Sequence, residues 1–386
     1  MGKKGKGEAL YLVGLAYDTA LSGHDWTDML AQLATSIDAK SAILRMVDYT
    51  KREVGFFDAV GIDPAYRQAY SRHFMNIDIY RELFETAPIG AVMQSNQFPG
   101  YEGHHKTEFF NDYQKPQDME HVCGSVLARS SNSTIHFGAH RGRRARDFGQ
   151  GEFDFLQAVL PHLMRAVQMR QQLAATSCQQ ALAEAALHQL QLGVLLTDAQ
   201  ARPLFVNRMA EHHIAASNGT LSLSFCGLNT RNPEDAARLC RLVAEAAATT
   251  AGKGLSAGGE MRIACGDGSF LQLCVTPLSR ECLDSGSAAP SACAAIFISR
   301  PGSVHLPWRK VAICYGLTQA EAKLAVQLAN GGSPEEAAAH LGISIHTART
   351  HLKAVFAKTG ARRQPELVAM LLQGVLAFCR TSEDRV

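Results

Sequence analysis

Between Gly316 and about Leu372 the chain marks its own helix starts and stops so closely that it has room for little except short helices in tandem. Thr318 stands three residues ahead of Glu321, and Ser333 three ahead of Glu336. In each pair the hydroxyl can accept from the backbone N–H at the third helical position, while the carboxylate accepts from the capping residue's own N–H. Gly331 and Gly332 tolerate the left-handed backbone of a helix end, and Pro334 sits at a first helical position, where no donor is lost. Gly342 makes the next turn, Ser344 caps a third helix, and Gly360 stops it. Pro365 starts a fourth, apolar at Leu367, Val368, Leu371 and Leu372.

The third helix, 345–359, has two unlike sides. At about 100° per residue Ala348, Leu352, Val355 and Phe356 share one, while His346, Arg349, Thr350, Lys353 and Ala357 share the other. The first set packs inward. The second projects donors from a rigid rod that fits a DNA major groove, where Arg or Lys reaches guanine edges and Thr a base or a methyl. Thr347, His351 and Lys358 lie on the flank, where phosphate contact is more natural. From Arg309 to Arg380 nine Lys and Arg face four Glu, a balance of +5 in a chain whose total is +2, so all other residues sum to −3. This separation of charge favours a nucleic-acid face over a helical bundle whose basic residues merely solvate its surface.

The stretch resembles the DNA-binding domain of LuxR-type transcription regulators. The resemblance covers about the last sixth of the chain and rests on Leu317-Thr318, Glu321, Gly331, Leu341, Ser344, Thr347, His351 and Lys358. It implies that Arg349, where the family usually has lysine, approaches the bases, and that Thr350 and Lys353 set sequence preference. Ala348 replaces the usual valine, and Gln364 stands where arginine is typical. Double-stranded promoter DNA is the implied partner, with RNA polymerase as a further one, and a homodimer reading two half-sites is the expected assembly.

A length of 386 residues suggests two or three domains, and 46% hydrophobic content supplies packed cores. No apolar run approaches the roughly 18 to 20 residues that cross a bilayer. The start, MGKKGKG, reads as a disordered tail without the apolar core of a signal peptide, and residues 1–24 as a tail and lead-in segment. Ten cysteines are scattered without a CxxC pair, which reads as reduced thiols in the cytoplasm. Cys265 and Cys274 flank an expected turn, so a redox pair is the alternative there.

Residues 25–163 mix strands and helices. Ser41 to Val47 with Glu53 to Val60, and Val122 to Arg129 with Ser133 to His140, read as two strand pairs. Helices are expected at Trp26 to Ile37, from Pro64 to Phe74, and from near Gly151, with Phe155, Leu156, Val159, Leu163 and Val167 on one side. Together with Leu160-Pro161-His162-Leu163, common before the linker of LuxR-type regulators, this order is similar to a GAF-like or PAS-like sensory domain. A small-molecule effector is the implied ligand. The segment from Tyr66 to Tyr113 is rich in rings, including Phe98, Phe109 and Phe110, and Tyr66, Tyr70, Phe74, Tyr80, Phe84 and Tyr113 are its candidate contacts for an apolar or aromatic molecule. The competing reading is that these rings fill the core. His104-His105, His121, His136 and His140 lack a second motif at ligand spacing and read as ordinary histidines, with no metal site. Arg141 to Arg146 reads as a solvated basic loop.

Residues 164–191, rich in Ala, Gln and Leu without Gly or Pro, continue as a long helical linker in which a dimer seam has no clean heptad. Residues 192–300 open with strands Leu192 to Asp198 and Pro203 to Val206, and Asn207 caps the next helix. That phrase is similar to the opening of a PAS domain. Strands Glu260 to Cys265, Phe270 to Pro277 and Ala292 to Ser299 complete it, with a loop-like insert from Glu281 to Ser291. No haem, flavin or other cofactor signature is present, and no GxSxG, P-loop, HExxH or GxGxxG, so no enzyme is expected. The expected fold is α+β: two antiparallel-sheet sensory domains joined by a long helix, then an all-α four-helix helix-turn-helix domain at 309–380. The alternatives are a thiol-based redox regulator and a sensor or scaffold acting through protein contacts.

Overall fold

The computed structural model describes residues 3–97, 101–278, 293–301 and 306–377. The chain divides into two compact units, Met1–Gln179 and Gln180–Val386.

The first unit runs α1 (Lys3–Ser22), α2 (Thr27–Ser36), β1 (Ser41–Asp48), β2 (Glu53–Val60), α3 (Pro64–Arg72), α4 (Arg81–Thr86), β3 (Met93–Gln94), β4 (His121–Arg129), β5 (Ser133–Arg141) and α5 (Gln150–His188), with short 3₁₀ and π turns between β3 and β4. Its sheet is antiparallel in the order β2-β1-β5-β4-β3. Alternation puts Ala42, Leu44, Cys123, Leu127, Ile135, Phe137 and Ala139 on one face, where they pack on Met29, Leu30 and Leu33 of α2 and on Leu156, Val159 and Leu163 of α5. The other face carries Val47, Val122 and Val126 against the ring-rich segment.

Two expectations are corrected here. Residues 3–22 are not a loose tail: they form α1, in which Ala9, Leu12, Ala16 and Ala20 recur at helical spacing and are buried in the same core. Nor is Arg141 part of a solvated loop. Its side chain is 1% exposed and donates to the carbonyls of Ile37, Asp38, Arg146 and Asp147 and to Glu152, while Phe148 lies 4.3 Å beneath its guanidinium. Of that run Arg143, Arg144, Ala145 and Arg146 are exposed. Helix α5 contains Pro161 and absorbs the expected linker, and its residues 171–183 are all exposed.

The second unit runs β6 (Gly193–Asp198), β7 (Pro203–Val206), α6 (Arg208–Ala216), β8 (Leu221–Ser224), β9 (Gly227–Thr230), α7 (Pro233–Thr250), β10 (Gly259–Ala264), β11 (Phe270–Pro277) and β12 (Cys293–Ser299). Its main sheet is antiparallel in the order β10-β11-β12-β6-β7, and β8 pairs with β9 alone. Leu239, Val243 and Ala246 of α7 fill the core with Met261, Ile263, Leu273, Val275, Ile296 and Ile298. Asn207 is fully buried and ties three elements together: its Oδ1 accepts from Ala210 and Val194, and its Nδ2 donates to the carbonyls of Leu187 and Leu192. The expected insert at 281–291 lies outside the described residues.

Five helices follow: α8 (Trp308–Tyr315), α9 (Gln319–Ala329), α10 (Pro334–Leu341), α11 (Ile345–Thr359) and α12 (Gln364–Gln373). The expected four-helix count misses α8, which follows Pro307 and ends at Gly316 with φ 63°. The fold is therefore mixed α and antiparallel β. No described helix is long and apolar enough to cross a membrane.

Candidate nucleic-acid interface

Both capping boxes form. Thr318 N–H donates to Glu321 at 2.8 Å and Ser333 N–H to Glu336 at 2.8 Å, and each hydroxyl accepts from the N–H three residues on. Gly342, at φ 66°, ends α10, and the Ser344 hydroxyl accepts from Thr347 N–H at 3.1 Å to begin α11. Two helices thus meet through a three-residue turn. Ala337 and Ala338 of α10 and Ala348 and Val355 of α11 enter a core with Leu324, Leu328, Leu367 and Leu371.

The outward side of α11 matches the helical-wheel reading. His346, Arg349, Thr350, Lys353, Ala357 and Lys358 are exposed, and Thr347 and His351 are half-buried. Lys353 has no ion-pair partner among the described residues. Arg349 makes only an exposed contact of 3.3 Å with Glu335 of α10, an interaction of small worth that a phosphate or a base edge can replace. The Thr350 hydroxyl donates to the His346 carbonyl, and the Thr347 hydroxyl lies 2.8 Å from that of Ser344, so Thr347 serves the cap.

Lys358 behaves differently from a free phosphate clamp. Its ammonium lies 2.7 Å from the Glu321 carboxylate, which is 8% exposed and also completes the cap of α9. The Lys358 contact, with the Thr318 N–H bond, holds the Glu321 carboxyl below its ordinary pKa. The pair pins the end of α11 to the start of α9, a role that the spacing in sequence gave no means of seeing.

The ring-rich segment of the first unit is packed rather than hollow. Tyr70, Phe74, Tyr80, Phe84 and Tyr113 are buried, Tyr66 is half-buried, and Phe98 lies outside the described residues. Tyr113 meets Tyr66, Tyr70, Phe74 and Phe109 with ring centres 5.0–6.0 Å apart. A cavity of about 20 Å³ remains between Arg45, Tyr80, Phe84, Tyr113, Gln114 and His140.

Its polar groups escaped the sequence reading, which singled out rings. Arg45, 4% exposed, pairs with Asp78 at 2.8 Å, lies 3.7 Å from the centre of the Tyr70 ring, and donates to His136. The Tyr70 hydroxyl donates to Asp78 at 2.7 Å, and burial raises its pKa far above the ordinary value, keeping it a donor. Burial drives His136 well below its ordinary pKa and His140 down to about 3. Gln114 Oε1 and His136 Nδ1 are buried without a hydrogen-bond partner. An Arg or Asp inside a strand-and-helix pattern is the only sequence signal here, and it does not say which of many will be enclosed.

In the second unit a cleft of about 550 Å³ lies along the strand positions that alternate with the core: Glu260, Arg262, Gln272, Cys274 and Phe297. The proposed pair Cys265 and Cys274 is not a pair. Cys274 stands opposite Glu260, five residues from Cys265 along the neighbouring strand, and Cys265 enters the core while Cys274 lines the cleft. At about 3.4 Å per residue that places them far beyond disulfide reach. Burial also raises the Cys274 pKa, which disfavours the reactive thiolate.

No protein-family description matches the chain, and no curated protein is detectably similar to it in sequence. Solved structures with a distant likeness include LuxR-family regulators. The ligand-binding domain of VqsR from Pseudomonas aeruginosa is 14% identical, covering 44% of this chain and 98% of that one, with a TM-score of 0.35. The N-acylhomoserine lactone dependent LuxR family factor CepR2 from Burkholderia cenocepacia is 13% identical over 43% of this chain and 98% of its own, with a TM-score of 0.31. Escherichia coli SdiA is 9% identical over 90% of each chain, with a TM-score of 0.30. Scores this low decide neither fold nor function.

Proposed function

We propose that the chain is a cytoplasmic, homodimeric transcription regulator of LuxR type that lays α11 in the major groove of promoter DNA and responds to a small molecule through its sheet domains. The observation that carries this reading is the outward side of α11: His346, Arg349, Thr350 and Lys353 stand exposed on a helix whose opposite side is locked into a core. A single helix-turn-helix meets few phosphates, so useful affinity comes from two copies on half-sites about one helical turn apart. The reading assigns no catalytic step, and leaves RNA polymerase as a further partner. The effector contacts it favours are the rings Tyr66, Tyr70, Phe74, Tyr80, Phe84 and Tyr113 with the polar groups among them. The cavity there is water-sized, so a ligand enters by displacing rings.

The test is selection of duplexes from a random library by the full chain, followed by titration of the best site at several salt concentrations. Binding should weaken steeply with salt through counterion release. Arg349→Ala and Lys353→Ala should each lower discrimination between selected and scrambled duplexes by about 1–3 kcal/mol. Binding that is indifferent to salt and to both substitutions would leave the alternative, an interaction module acting through protein contacts. Lys358→Ala is a poor probe of phosphate contact, since it also frees the end of α11 from Glu321.

A further inference from the structure

The segment between β3 and β4 brings together three groups that the sequence keeps apart. His104 and His105 lie on a 3₁₀ turn, Tyr101–Lys106, and Glu120 stands immediately before β4, with its N–H fixed to the Arg141 carbonyl at 2.9 Å. One ring nitrogen of each histidine and one carboxylate oxygen of Glu120 all lie within 4.8 Å of one another. His105 Nε2 is 2.7 Å from Glu120 Oε1. By itself that contact is an ordinary, partly exposed ion pair. His104 makes it more.

The His104 side chain is buried, and its Nδ1 contacts the Tyr101 carbonyl, an acceptor only, so Nδ1 must carry the hydrogen. Its Nε2 then presents a bare lone pair, and it is buried without any hydrogen-bond partner. An imidazole whose far N–H is held by a backbone carbonyl is the usual outer-shell arrangement of a metal-ligating histidine. The surroundings are equally set. Tyr101 stacks on His104 at 4.2 Å, Phe110 meets both histidine rings edge-on at 4.9 and 4.5 Å, and the His104 and His105 rings lie 3.9 Å apart. The His104 carbonyl accepts from Thr107, and that of His105 from Asn111, which fixes the backbone under both rings.

We infer that His104, His105 and Glu120 form a binding site for a divalent transition-metal ion, zinc(II) by its ligand chemistry, with a fourth position left to water or another ligand. Two imidazoles and a carboxylate suit zinc at about 2.0–2.2 Å per ligand, which sets tetrahedral ligand atoms about 3.4 Å apart. Closing the cluster therefore asks for a contraction of at most about 1.4 Å between any two ligand atoms, from the 4.8 Å limit. Binding displaces the proton shared by His105 and Glu120 and clips the Tyr101–Gln114 stretch, which carries Phe109 and Tyr113, to the start of β4.

The probe is zinc(II) alone, titrated into the reduced full chain against a chromophoric chelator, with cobalt(II) as the spectroscopic substitute. We expect one equivalent to bind, with affinity at least about ten-fold weaker in His105→Ala and in Glu120→Gln. Neither His105 nor Glu120 is fully buried, so both variants should keep the fold; circular dichroism checks this. Cobalt(II) at that site should show d–d bands without thiolate charge transfer. Zinc should also slow amide exchange over residues 101–117 in the wild type and in neither variant. Failure of the wild type to bind one equivalent overturns the site, as does unchanged affinity in both variants or a thiolate band, which would place the ion on cysteines instead.

Discussion

The two five-stranded sheets are built to one plan and finished differently. Counting strands within each, both run second, first, fifth, fourth, third: β2-β1-β5-β4-β3 in the first unit and β7-β6-β12-β11-β10 in the second. In each, one face is closed by helices over aliphatic side chains. The other faces diverge. In the first unit a ring-rich segment seals it around a buried ion pair, Arg45 with Asp78, and two buried histidines. In the second it holds an open cleft lined by Glu260, Arg262 and Gln272. Strand order determines which positions become neighbours, but the connections decide what is enclosed. In the first unit the connection from β2 to β4 builds a polar interior, and a polar interior is costly unless every partner is in place.

The strongest way to break this contrast is Asp78→Ala. It leaves the Arg45 guanidinium buried without its carboxylate and takes the acceptor from Tyr70, so it should cost about 3–5 kcal/mol, read as lost hydrogen-exchange protection of β1 and β5 with β11 and β12 unaffected. In the second unit the counterpart is Asn207→Ala, which takes a donor from the Leu187 and Leu192 carbonyls and the side-chain acceptor from the Val194 and Ala210 N–H groups. A loss of about 2 kcal/mol confined to β6, β7 and α6 is expected by the same measurement.

Acid sharpens the comparison further. A histidine whose folded pKa is depressed contributes stability that is complete above its unfolded pKa near 6.5 and declines as pH falls towards the folded value. His140, at about 3, and His136, also well below its ordinary value through burial and Arg45, act in the first unit; His213, at about 4 through burial and the neighbouring His212, acts in the second. Each contributes a slope of up to about 1.4 kcal/mol per pH unit. Between pH 6 and 4 the first sheet should therefore lose exchange protection about twice as steeply as the second, and His140→Gln should reduce the difference. Smallest of all, Gln272→Ala on the open face of the second sheet should change stability by no more than about 0.5 kcal/mol in thermal unfolding.

What the sequence disclosed follows from range. The caps of α9, α10 and α11 use residues three apart, so Thr318, Ser333 and Ser344 could be placed with their partners from spacing alone. Four of the five strands of the first sheet were legible because Glu53 to Val60 and Ser133 to His140 have distinct turns beside them; β3, two residues long, was not. Helix α7 was missed although Asn232 caps it, Pro233 opens it and Leu239, Val243 and Ala246 give it an apolar side; its signals are local and were there to be read. Other features had no local signal. Arg45 meets Asp78 across 33 residues, Lys358 meets Glu321 across 37, and Glu120 approaches His105 across 15. Such pairs are consequences of packing. The same holds for Cys265 and Cys274, which the turn suggested as facing neighbours and which the register sends to opposite faces.

The Glu321 carboxylate has a double duty whose consequence reaches beyond the two helices it joins. Because it sets the start of α9 and also holds the far end of α11, while Ser344 sets the near end, the exposed rod is fully ordered before anything touches it. Whatever docks there meets a finished surface. Association should then show a heat-capacity change no larger than the contact area itself accounts for, without the surplus that accompanies coupled folding.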